Sequence, residues 1–152
     1  MLFIFFLGIQ SVLLAQETPD IAHNNELHFG LITGVFGVTD FESDPPFSLT
    51  RPLFIGPTWI HKKWAFSPFY NIGDHSAGMF LSYNFSQDLG TYFVVDDHLS
   101  SDFGIYGFGL TTPIIFPFVQ GFVEIGSTYG EVNQTSLSIG AWIILSKKVS
   151  SW

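Results

Sequence analysis

The 152-residue chain contains no cysteine, which excludes a disulfide framework, thiolate-bound zinc, an iron–sulfur cluster and a thiol nucleophile. Charge is scarce at 12 %, and positive charge scarcest, with 5 Lys+Arg against 13 Asp+Glu and a net charge of −8. So acidic a chain has little to offer the phosphates of a nucleic acid. Low charge combined with positive mean hydropathy excludes a disordered chain, because there is ample apolar surface to bury and little self-repulsion. No internal repeat, low-complexity tract or phosphate-cradling glycine loop occurs, and the length allows one domain.

Long apolar runs are also missing, with one exception. Residues 1–16, MLFIFFLGIQSVLLAQ, carry no charge and end just before Glu17. The run falls short of the roughly 20 residues that a spanning helix needs. It reads as a cleaved secretory signal, although no base precedes it and Leu13 stands where a small residue is usual. Residues 17–152 are then a single exported domain, which keeps every charged side chain.

No stretch of ten residues after the signal holds the three-and-four spacing of an amphipathic helix without Gly or Pro interrupting it. What is there instead is alternation, in short runs of Phe, Val, Ile, Tyr and Thr separated by clusters of Asp, Ser, Gly, Asn and Pro. Eight strands are predicted, at 26–38, 51–61, 64–72, 76–86, 89–96, 103–112, 117–129 and 135–146. In the fourth, Ala77, Met79, Leu81, Tyr83 and Phe85 oppose Ser76, Gly78, Ser82 and Asn84, with Phe80 out of pattern. In the last, Leu137, Ile139, Ala141, Ile143 and Leu145 oppose Ser136, Ser138 and Gly140. Val119, Val123, Ile125 and Tyr129 oppose Gln120 and Glu124. One apolar and one small or polar face per strand suits either a half-buried soluble sheet or a membrane barrel with lipid outside.

Loop length and charge favour the barrel. With the N-terminus on the periplasmic side, the longest connection, Thr39 to Thr50, lies outside and the tight one at Lys62-Lys63 inside, as in outer-membrane barrels. Asp40, Glu42, Asp44, Asp74, Asp96, Asp97, Asp102 and Glu131 then belong to the outer loops, with Arg51 the one base near them. Lys62, Lys63, Lys147 and Lys148 all fall at the periplasmic rim. Trp59, Trp64, Tyr83 and Phe85 at one end and Tyr70, Phe103 and Tyr129 at the other match two interfacial girdles.

The segment PFVQGFVEIGSTYGEVNQTSLSIGAWIILSKKVSSW resembles the closing hairpin of small outer-membrane β-barrel proteins of the Bacteroidetes type, eight-stranded barrels like outer membrane proteins A, X and W. The resemblance implies an all-β, antiparallel up-and-down transmembrane barrel. It implies as partners outer-membrane lipid, lipopolysaccharide and the barrel-insertion machinery, which reads a terminal aromatic such as Trp152. SKKVSSW departs from the alternating register of such an ending, as a chain cut before a further strand would.

An eight-stranded barrel is only wide enough for its own side chains, so a diffusive porin is not expected. Glu26, His28, Asn71, Asn84, Gln120 and Glu124 are the polar candidates for the lumen. Glu124 reads either as a proton-accepting carboxylate or, preferably, as a structural acid bonded to Tyr, Ser or Asn. A lipid A deacylase would need a His, a Ser and an acid, for which Asp74-His75-Ser76 beside Glu124 is the candidate set. Adjacent strand residues point to opposite faces, so an ordinary polar turn is the preferred reading of that tripeptide. Asp74 and His75 with Asp96, Asp97 and His98 are the candidate metal ligands, at no diagnostic spacing. No catalytic residue, cofactor or metal site is assigned. The expectation is a monomeric barrel in the outer membrane with a structural or surface-contact role. The alternatives are a lipid A-modifying barrel and a secreted β-sandwich or lipocalin-like binder.

Overall fold

The computed structural model describes residues 25–40, 47–113, 118–130 and 133–152. The signal segment lies outside the described residues, as do Glu42, Asp44 and Glu131. Every described element is a strand: β1 Glu26–Asp40, β2 Phe47–Thr50, β3 Leu53–His61, β4 Trp64–Asn71, β5 Ser76–Asn84, β6 Gly90–His98, β7 Phe103–Pro113, β8 Val119–Gly130 and β9 Thr135–Ser151.

Neighbours in sequence pair antiparallel around the sheet, and β9 closes it by pairing with β1 from Asp40↔Ser136 to Glu26↔Ser151. β2 and β3 share the other side of β1, β2 facing Phe36–Thr39 and β3 facing Glu26–Thr33. They form one stave interrupted at Arg51-Pro52, because proline cannot donate to the ladder. The molecule is a closed eight-stave, up-and-down barrel. Closure leaves no sandwich of two sheets.

Three expectations change. The first connection is not twelve residues of loop, because residues 47–50 pair with the upper end of β1. Asp96 and Asp97 belong to β6 and pair with Gly78 and Ala77 rather than standing in a loop. The SKKVSS segment continues β9 to Ser151, its offset absorbed by a bulge in the β1–β9 pairing at Leu27/His28. A bulge adds one residue to one strand and lets pairing resume beyond it.

Alternation decides what fills the interior. Phe54, Phe69, Phe80, Tyr92, Phe122 and Trp142 point inward and are buried, so Phe80, out of pattern in the sequence, is a core residue. Trp142 is the hub. Its ring lies 4.6 Å from Phe122 in a stacked pair, 5.2 Å from Phe36, 5.6 Å from Phe54 and 6.3 Å from Phe80. Edge-to-face and offset rings at such distances each add roughly 0.5–1.5 kcal/mol beyond their buried area. The middle of the barrel is thus closed by aromatic side chains.

The outside is apolar too. Ile139 is 61 % exposed, Ile125 57 % and Phe108 52 %, with Phe29, Val35 and Leu110 similar. A continuous wall of such residues is far larger than a water-facing surface tolerates. Interior and exterior are both apolar at mid-height because the interior is packed with rings rather than water.

Candidate functional site

Polar groups in the lumen fall into three places. At mid-height, Tyr92 on β6 and Glu124 on β8 each pair directly with Gly109 on β7. Glycine leaves an empty place between them, and a Cβ built on Gly109 would run into the Tyr92 ring. The Tyr92 hydroxyl therefore reaches over Gly109 and donates to Glu124 Oε2 at 2.7 Å. Gly107, one inward position along, gives the carboxylate its room, since a Cβ there would meet Glu124 Oε1 at 2.8 Å. The sequence shows this device as Gly107-Phe108-Gly109, with glycines inward and a phenylalanine outward. Tyrosine, not a base, is thus the carboxylate's partner.

Towards the acidic end lies a second group. Asn71 Nδ2 donates to Asp74 Oδ2 at 2.9 Å, and Gly73 N donates to Asn71 Oδ1 at 3.2 Å, so the β4–β5 turn is folded onto the strand end. Ser76 pairs with Asn71 and His98 and is fully buried, and Asp96 is buried one inward position away. Ser76 Oγ and Asp96 Oδ1 have no hydrogen-bond partner among the described residues. His98 packs on Phe103 with ring centroids 5.1 Å apart. Phe103 is consequently on the inward alternation and leaves the outer girdle, where Tyr106 and Tyr129 stack instead at 6.4 Å.

The third group sits at the lysine end. Glu26 accepts from Lys148 Nζ and lies 2.8 Å from His28 Nε2. The β9 extension carries Lys148 opposite His28, so a rim lysine reaches the inward-facing Glu26. Of the other lumen candidates, Gln120 pairs with Trp142 and shares its inward face, while Asn84 reaches the mouth and is exposed.

His75 and Ser76 are not brought together. His75 sits in the left-handed region at φ 52 and its Nδ1 lies 3.0 Å from the hydroxyl of the outward-facing Tyr70. Ser76 points into the barrel. Glu124 is engaged with Tyr92 rather than with either. The five metal candidates divide likewise, Asp97 lying on the outward alternation and Asp96 on the inward one, and no group of three or more His, Asp or Glu among the described residues can share a metal ion.

Lysines and acids separate by end. Lys62 and Lys63 form the β3–β4 turn and Lys147 and Lys148 pair with Phe29 and His28, whereas Asp74, Asp96, Asp97 and Asp102 lie at the opposite end. Glu26 and Asp88 are the described acids at the lysine end. Trp59, Trp64, Tyr83 and Phe85 form a row at that end along β3 to β5, with Trp64–Tyr83 centroids at 4.8 Å and Tyr83–Phe85 at 5.2 Å.

No family model and no curated protein matches the chain. Among solved structures, outer membrane phospholipase A from Escherichia coli is similar at 18 % identity with a TM-score of 0.39, over 77 % of this chain and 51 % of that one. The chain spans about half the length of that protein. A likeness at this level carries no inference about activity.

Proposed function

We propose that this chain is an exported outer-membrane β-barrel protein of the small Bacteroidetes type, acting as a monomer in a structural or surface-contact role. The observation that carries the reading is a closed barrel with an apolar wall outside and an aromatic plug inside. Water on the outside would oppose that wall, whereas hydrocarbon accepts it. The plug leaves no route for diffusing solutes. The lysine end faces the periplasm and the acidic end the exterior, where Asp74, Asp97 and Asp102 meet lipopolysaccharide through bridging divalent cations. The insertion machinery engages β9 during assembly. A lipid A-modifying activity has no support in the placement of these residues: His75 turns to the outward-facing Tyr70, while Ser76 lies inside the barrel and Glu124, also inside, is engaged by Tyr92.

The absence of cysteine makes the test simple. Asp102→Cys and Lys62→Cys are expressed separately in a Gram-negative host and treated with a membrane-impermeant maleimide on intact cells. The Asp102→Cys variant is expected to label on intact cells, and the Lys62→Cys variant only once the cells are opened. Equal labelling of both variants on intact cells overturns the orientation, and recovery of the chain in the soluble fraction overturns the membrane assignment.

A further inference from the structure

The outer wall is not uniform. Near the lysine end it opens into a groove of about 270 Å³ whose lining includes the outward-facing Trp64, Leu81, Tyr83, Thr91, Phe93 and Phe108, with Tyr92 at its floor in the strand between Thr91 and Phe93. These side chains come from β4 to β7. Thr91, the one small polar residue among them, turns its hydroxyl away to donate to Gly109 O at 2.8 Å. At the rim end, Lys63 Nζ donates to Phe85 O at 3.1 Å and Lys63 O accepts from Asn84 N at 2.9 Å. Those bonds hold the Lys62-Lys63 turn against the next turn of the same rim, beside the Trp64–Tyr83–Phe85 row. Asp88 is the acid on that facing turn, and neither lysine makes an ion pair among the described residues.

We propose that this groove binds an anionic phospholipid of the periplasmic leaflet, one acyl chain lying in it and the headgroup phosphate on Lys62 and Lys63. The inference rests on the membrane reading above. A groove facing hydrocarbon forfeits dispersion contacts unless a chain fills it. Tryptophan and tyrosine hold the headgroup level, and lysines beside that level attract anionic lipid. The groove opens at the end opposite Asp74, Asp97 and Asp102, which places it in the leaflet of phospholipid rather than lipopolysaccharide.

The test uses the chain without its signal, refolded into phosphatidylcholine nanodiscs containing a minor fraction of phosphatidylglycerol, with retained lipids counted by native mass spectrometry. Phosphatidylglycerol is expected to be retained in preference to phosphatidylcholine. Lys62→Gln and Lys63→Gln each reduce that preference about fivefold, and Leu81→Trp, which fills the groove, reduces it with both lysines in place. Lys147→Gln, at the same end on β9, leaves it unchanged. No preference in the parent chain, full retention in Leu81→Trp, or equal losses in Lys147→Gln and Lys63→Gln overturns the site. Gel mobility with and without boiling is read on the same samples. A barrel that keeps its heat-dependent shift but shows no lipid preference sinks the lipid site alone, whereas loss of the shift in the parent chain sinks the membrane reading and the site together.

Discussion

Tyr92 and Glu124 share a hydrogen bond across a third strand. Both pair with Gly109, one from each side, and the bond of 2.7 Å passes over the place where a side chain would stand. Neighbouring strands lie about 4.8 Å apart, so partners two strands away meet only when the middle residue is glycine or when the barrel interior is crossed. The arrangement ties β6, β7 and β8 together at mid-height.

Tyr92→Phe is expected to leave the Glu124 carboxylate without its donor and to cost about 1–3 kcal/mol. Glu124→Leu made in the Tyr92→Phe background restores part of that loss, because the orphaned polar group has gone. Denaturant unfolding in detergent micelles of the two single variants and the double variant gives the coupling. Additive effects would mean the bond contributes nothing.

Gly109→Ala places a methyl group against the Tyr92 ring and is expected to destabilise the barrel by about 1–3 kcal/mol. Gly73→Ala, in the β4–β5 turn, has only Asn71 Oδ1 at 3.6 Å near its new Cβ and serves as the mild comparison. Equal stabilities would show that the ring has room to move aside.

Much of the fold is legible in the sequence, and the reason is periodicity. Most staves begin and end close to where alternation and turn residues put them, since a period of two is hard to imitate by chance over so many segments; the exceptions are the second, which starts at Phe47, and the last, which runs on to Ser151. Phe80 breaks the expected pattern because alternation rules assume a polar lumen, whereas rings fill this one. The β2 strand escapes a reading by alternation because Arg51-Pro52 interrupts it. Phe103 takes the inward side for a related reason: pairing register, which one sequence does not display, decides which way a residue at a strand end faces. The Tyr92–Glu124 bond is half visible, through the glycines of Gly107-Phe108-Gly109, while the partner's identity needs the register of three strands.

Trp142 and Ile139 lie three residues apart on β9, one at the hub of the plug and the other 61 % exposed on the wall. Trp142→Ala is expected to cost about 3–5 kcal/mol through the cavity it leaves. Ile139→Ala costs far less, but Ile139→Lys costs about 2 kcal/mol when the barrel is folded in bilayers. Refolding yields into phosphatidylcholine vesicles check the pair. An Ile139→Lys variant as stable in vesicles as the parent would place that wall outside hydrocarbon.

A closed barrel with a lipid-facing wall is tested most directly by gel mobility of the chain without its signal, refolded in detergent and run with and without boiling. A faster band in the unboiled sample, lost on boiling, is predicted. A single band that boiling does not move, from a chain that stays soluble without detergent, would contradict it.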